Sequence, residues 1–147
     1  MDAELYSFDI FDTLITRNTI SPLGIFLLLQ DKIKSDRHFD ILPDDFVNNF
    51  CQYRKNAELR CRGINNTNYN FKEITLDDIY NNLMENHSIE NEFIEKIKLL
   101  EIELELKSVQ PIQKNIKNLK KILENSKQVI LISDMYLPIN VLSLIHI

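Results

Sequence analysis

The chain has 147 residues, 44% of them apolar, and a formal net charge of −5. That length allows one ordinary domain at most, and the acidic balance excludes a surface for a phosphate backbone, which needs clustered Lys and Arg. No apolar run approaches the ~20 residues of a membrane span, and the opening M-D-A-E-L lacks the basic segment of a signal peptide, so a cytoplasmic chain is expected.

Leu5 to Phe11 reads as a short buried strand, apolar and aromatic with few breaks. At its carboxyl end stand Asp9, Asp12 and Thr13. In open α/β sheets ligands bind outside the carboxyl ends of the strands. An aspartate there is either a turn or cap residue, or a carboxylate that attacks phosphorus or holds a metal.

Ser21-Pro22 is a helix start, Ser as N-cap and Pro at the first position, and Leu23 to Ile33 follows as an apolar helix. Pro43 opens a second helix to about Cys61, with Phe46, Phe50, Tyr53, Ala57 and Cys61 on one face and Gly63 at its C-terminal cap. Cys51 and Cys61 lie on that helix about 15 Å apart along its axis. A disulfide spans about 7 Å at most, so both are read as reduced. Gly63 to Thr75 is an Asn-rich loop.

Thr75 to Asp78 forms a capping-box pattern and opens a helix carrying Ile79, Tyr80 and Leu83. Ser88 is expected to cap a long helix to about Lys107, with the face Ile89, Phe93, Ile97, Leu100 and Leu104. Glu101, Glu103 and Glu105, interleaved with lysines, read as a solvated face. Pro111 breaks the chain, and Ile112, Ile116, Leu119 and Leu123 mark one more helix. Val129 to Ile132 has the pattern of a parallel strand buried on both faces. Ser133 ends it, either as a helix cap or as a ligand-holding hydroxyl. The last six residues, L-S-L-I-H-I from Leu142, read either as the translation of a sequencing-library adaptor, in which case the natural sequence is expected to end near Val141, or as a genuine apolar tail.

Two stretches carry a family resemblance. L-Y-S-F-D-I-F-D-T-L-I-T-R, from Leu5 to Arg17, resembles motif I of the haloacid dehalogenase (HAD) superfamily, an apolar strand followed by D-x-D-x-T/V. Asp9 falls on the nucleophile, Phe11 on the second Asp, Asp12 on the usual Gly and Thr13 on the Thr. Q-V-I-L-I-S-D-M-Y-L-P, from Gln128 to Pro138, resembles motif II, an apolar strand ending in Ser or Thr. The variants F-D-x-F-D-T-L and S-D-M-Y-L-P are similar to a group of HAD-like hydrolases, some of them encoded with or fused to surface-polysaccharide glycosyltransferases. R-K-N-A-E-L-R and E-I-T-L-D-D-I-Y also look like that group.

The resemblance implies an α/β fold: a partial HAD Rossmann-like parallel sheet, of which only the first two strands are present, with a large helical cap inserted between them. Residues 1–17 and 109–141 would form the partial core, and 18–108 the cap. Residues 142–147 would be adaptor translation. It implies a phosphatase-type hydrolase acting on a phosphorylated small molecule with Mg²⁺, through an aspartyl-phosphate on Asp9. The phosphoryl group would be held by Ser133, Asp134 and Thr13, with Asp12 as an auxiliary. Asp9 and the backbone carbonyl of Phe11 would be the metal ligands.

Two departures matter. Phe11 cannot protonate a leaving group, help that is typically worth about 10²–10⁴-fold. Asp12 is adjacent but one residue out of phase. The sequence also stops before the motifs that would supply a Lys or Arg and further acidic Mg²⁺ ligands, and two parallel strands leave most of their apolar faces and edges uncovered, so this chain alone is expected to be inactive and either aggregation-prone or partly unfolded. Two alternatives stand beside the phosphatase: a non-catalytic HAD-like module of a larger polysaccharide-biosynthesis or glycosyltransferase protein, and a carbon–halide hydrolase using Asp9. Neither nucleic acid nor membrane is an expected partner.

Overall fold

A computed structural model describes residues 5–18, 22–63 and 73–142. The expected Ser21 cap, most of the Asn-rich loop and residues 143–147 lie outside them. The chain is a mixed α/β protein dominated by helix. Strand β1 (Leu5–Asp9) is followed by β2 (Ile15–Arg17) and four helices, α1 (Pro22–Ser35), α2 (Asp44–Cys61), α3 (Leu76–His87) and α4 (Asn91–Ser108). A 3₁₀ turn at Arg37–Phe39 links α1 to α2. Then come β3 (Val109–Pro111), α5 (Gln113–Glu124), β4 (Gln128–Ile132) and the short α6 (Ile139–Leu142). Among the described residues no helix is long and apolar enough to cross a membrane.

The strands form two separate pairs. β1 and β4 run parallel, with Tyr6 opposite Val129 and Asp9 opposite Ile132. Side chains alternate across a strand, so Phe8 and Val129 share one face, where they pack on Leu14, Ile116 and Leu119. The other face is open: Leu5 is 52%, Ile130 48% and Ile132 56% exposed. The expectation that Val129–Ile132 is buried on both faces is therefore corrected. Among the described residues, α5 and Leu14 cover one side of this pair.

The second pair is one that hydrophobic patterning does not show. β2 and β3 are antiparallel, Ile15 opposite Pro111 and Arg17 opposite Val109. The Asn18 amide donates to the Ser108 carbonyl at 2.7 Å just beyond them. The chain thus leaves for the helices and returns from them along one two-stranded stem.

Most helix expectations match. Thr75 and Asp78 close a full capping box, Gly63 adopts φ +70° beyond α2, and neither Cys51 nor Cys61 is in a disulfide. Others are corrected. Ser88 does not cap the long helix: it sits in the left-handed region (φ 53°) and closes α3, its amide bonded to the Met84 carbonyl. Glu90 precedes α4 without a side-chain cap. Leu123, expected on the buried face of α5, is 52% exposed.

The largest correction concerns α4. Glu101 and Glu105 are not solvated; they are 0% and 1% exposed. The buried stripe of α4 runs Ile94, Ile97, Glu101, Glu105, Ser108, a spacing of three, four, four and three that keeps all five on one face. Only Glu103 behaves as expected, ion-paired to Lys107 at the surface.

The main core joins the helices to the ends of the parallel strands. Ile10, Phe11 and Ile15 after β1, and Tyr136 and Leu137 after β4, belong to the same buried cluster as Leu29, Phe46, Phe50, Ile79, Leu83 and Ile97.

Candidate functional site

The carboxyl ends of β1 and β4 bring Asp9 and Ser133 to one edge of the molecule. The Ile10 amide donates to the Ile132 carbonyl at 3.0 Å, which carries the pairing one residue past Asp9. β1 ends at Asp9, not at Phe11 as the apolar pattern suggests, because the chain then turns sharply. The Ile10 carbonyl accepts from both the Leu14 and Ile15 amides, at 2.9 and 3.0 Å, and the Asp12 amide donates to the Ile15 carbonyl at 2.7 Å. Asp12 makes the turn with φ 56°, a left-handed conformation that Asp tolerates better than most residues.

Each candidate side chain has a defined place. Asp9 is exposed at the strand end. Asp12, also exposed, is turned back along the loop, its Oδ1 accepting from the Thr16 hydroxyl at 3.2 Å. Thr13 is half-buried, and its carbonyl accepts from Asn115 at 2.7 Å. Ser133 is half-buried, and its Oγ accepts the Met135 amide at 3.2 Å. That bond uses a lone pair and leaves the hydroxyl proton available to donate. Asp134 is exposed beside it.

Phe11 points the other way. Its side chain is buried, with the guanidinium of Arg17 over the ring at 4.6 Å from the centroid. Its carbonyl receives no hydrogen bond among the described residues. Among those residues, too, no three His, Cys, Asp or Glu side chains converge as a metal cluster. The oxygens that the resemblance would assign to a metal are the Asp9 carboxylate and the Phe11 carbonyl. Such a small set fits Mg²⁺, which keeps several waters and takes only one or two carboxylates besides substrate phosphate oxygens.

Behind the loops lie two buried ion pairs. Arg17 Nε donates to Glu105 Oε2 at 2.9 Å and Nη2 to Oε1 at 3.4 Å. One turn earlier on α4, Glu101 accepts Arg54 Nε and Nη2 at 2.8 and 2.7 Å and the Tyr80 hydroxyl at 2.6 Å. Arg54 also lies over the rings of Phe26 and Tyr136, at 4.5 and 5.0 Å. Burial, with the Glu101 charge adding to it, holds the Tyr80 phenol well above its ordinary range. The Glu105 carboxyl is raised by burial in spite of Arg17.

These charged residues were missed in the sequence. The signal was present: Arg54 falls between Phe50 and Ala57 on the apolar face of its helix, and Glu101 and Glu105 continue the Ile94–Ile97 stripe. The segments R-K-N-A-E-L-R, E-I-T-L-D-D-I-Y and S-D-M-Y-L-P supply Arg54, Tyr80 and Tyr136, which meet around Glu101.

Neither a family model nor a curated protein matches the chain.

Proposed function

We propose that this chain carries the phosphoryl-accepting part of a HAD-type hydrolase site, with Asp9 as the nucleophile. The observation that carries the reading is the β1–β4 register. It sets Asp9 opposite Ile132, so that two residues separated by most of the chain, Asp9 and Ser133, end adjacent parallel strands on the same side. Asp12 adds support. It stands where the resembled motif has Gly, and it adopts the positive φ that Gly favours. A two-stranded parallel pair whose connection contains a helical insertion is also the arrangement expected of a partial HAD core with its cap.

A phosphate monoester is dianionic and repels a carboxylate. Mg²⁺, when bound by Asp9 and the Phe11 carbonyl, would offset that repulsion. Asp9 attacks phosphorus, the bond to the leaving oxygen breaks, and an aspartyl-phosphate forms. The Ser133 hydroxyl donates to a phosphoryl oxygen, and the backbone beside Asp134 and Thr13 completes the cradle. Water then attacks the phosphorus, releases inorganic phosphate and restores the carboxylate. Phosphoryl acceptance uses groups present in this chain; sustained turnover is what the resemblance assigns to the later motifs. The experiment is ¹⁹F NMR with Mg²⁺ and beryllofluoride, a phosphoryl mimic for carboxylate nucleophiles. A bound signal that needs Mg²⁺ and vanishes in Asp9→Asn is expected, and its absence from the wild-type chain would refute the reading.

A second reading has its own observation. Phe11 is buried beneath Arg17, so the place of the second Asp holds a packing residue, not an acid. This favours a module that binds a phosphorylated ligand without cleaving it. Beryllofluoride bound independently of the Asp9 carboxylate would select this reading.

A further inference from the structure

The two loops of the site are tied together by one side chain. Arg17 reaches Glu105 on α4 through two hydrogen bonds, lies over the ring of Phe11, and touches the Met135 sulfur with Nη2 at 3.7 Å. Phe11 belongs to the loop after Asp9, and Met135 donates its amide to the Ser133 hydroxyl. Glu105 is fixed in turn: the Ser108 hydroxyl donates to its carbonyl at 2.8 Å, and the Ser108 carbonyl accepts the Asn18 amide at the stem.

A buried ion pair is weak evidence for a stabilising role, because apolar residues of similar volume often serve as well or better. What apolar residues cannot reproduce is the direction of a planar guanidinium that addresses three partners at once. We propose that Arg17 and Glu105 are positioning residues for the Asp9–Ser133 site, holding the Phe11 carbonyl and the Ser133–Met135 turn in the register that phosphoryl binding requires. This rests on the reading of Asp9 as a phosphoryl acceptor. It also gives Phe11 a role: its ring is the platform for Arg17, and through that contact its main chain is held in place.

The test compares Arg17→Met/Glu105→Leu, Glu105→Gln and the wild-type chain. The first removes both charges and keeps the volume, so the fold is retained. Two quantities are read: the rate at which acetyl phosphate with Mg²⁺ phosphorylates Asp9, and amide hydrogen exchange at Leu14, Ile15 and Met135. In the double variant the melting temperature stays near wild type, while phosphorylation slows about tenfold or more and the three amides exchange at least about tenfold faster. Glu105→Gln, which keeps an acceptor for Arg17, recovers part of both. A double variant that phosphorylates and exchanges like wild type would overturn the proposal. If the wild-type chain is not phosphorylated at all, the reading of Asp9 fails. The exchange measurement then decides the positioning claim alone, unchanged protection at Leu14, Ile15 and Met135 refuting it.

Discussion

Arg54 on α2 and Glu101 on α4 meet through two hydrogen bonds of 2.7 and 2.8 Å, with neither side chain exposed to solvent. Glu101 also accepts the Tyr80 hydroxyl, so one carboxylate joins three helices. Burial alone would depress the Arg54 guanidinium; the Glu101 charge holds it above its ordinary range instead. Removing Glu101 takes from the buried Arg54 its two shortest hydrogen bonds and leaves it Glu58, whose Oε2 accepts from Nη1 at 3.2 Å. Glu101→Ala should cost about 3–5 kcal/mol of stability. Urea unfolding of the variant against wild type measures this, and a loss below about 1 kcal/mol would show that water or another group takes the place of Glu101.

The second expectation concerns pH. His87 packs on Tyr53 with ring centroids 4.1 Å apart and near Phe46 at 5.4 Å. Burial, followed by the neighbouring Arg60 charge, lowers its pKa from the ordinary 6.5. The sign follows from linkage. A histidine depressed in the folded state contributes stability that is present above its unfolded pKa and lost as pH falls through the folded value. Stability should therefore decline on acidification below about pH 6.5, and His87→Asn should flatten that part of the profile. Proton NMR titration of the His87 ring should give a midpoint below 6.5; a midpoint above it would contradict the assignment.

A third expectation follows from Phe11. With no acid at its position, the leaving oxygen must depart without a proton from that side chain. General acid help is typically worth about 10²–10⁴-fold. Acetyl phosphate, whose leaving group is a stable carboxylate, should phosphorylate Asp9 faster than an alkyl phosphate by a factor in that range. Comparable rates for the two donors would mean that another group, Asp134 or Asp12, supplies the proton.

The open face of the parallel pair gives the fourth. Leu5, Ile130 and Ile132 are all about half exposed, and among the described residues β4 pairs only with β1. An apolar strand with an unpaired edge is a template for association. The chain should self-associate with rising concentration, and Ile130→Lys together with Ile132→Lys should reduce this without loss of helical circular dichroism. Light scattering across a concentration series checks it; unchanged association in the double variant would place the contact elsewhere.

Several helix boundaries were legible in the sequence because local chemistry writes them. The Thr75–Asp78 box, the Pro43 start and Gly63 each act within a few residues. So, too, the two apolar runs from Leu5 and from Val129 announce two strands, although the first stops at Asp9 and not at Phe11. The stem of Ile15–Arg17 and Val109–Pro111 was not legible, since three-residue strands carry no period and their pairing is decided by where the helical insertion closes. The burial of Glu101 and Glu105 was hidden for another reason. A carboxylate on an apolar stripe reads as a surface residue until its arginine is known, and Arg54 and Arg17 are supplied by other elements. The half-exposed Ile130 and Ile132 escaped because composition reports what a strand can bury, not what is present to cover it.

The most direct measurement is to trap the phosphorylated carboxylate itself. The chain would be incubated with acetyl phosphate and Mg²⁺, reduced with borohydride and mapped by peptide mass spectrometry. An aspartyl-phosphate is reduced to homoserine, so the expected result is homoserine at position 9 in the wild-type chain, dependent on Mg²⁺, with none in Asp9→Asn. An unmodified Asp9 beside a reactive Asp12 or Asp134, or no reduced aspartate anywhere in a folded chain, would contradict the assignment of Asp9 as the nucleophile.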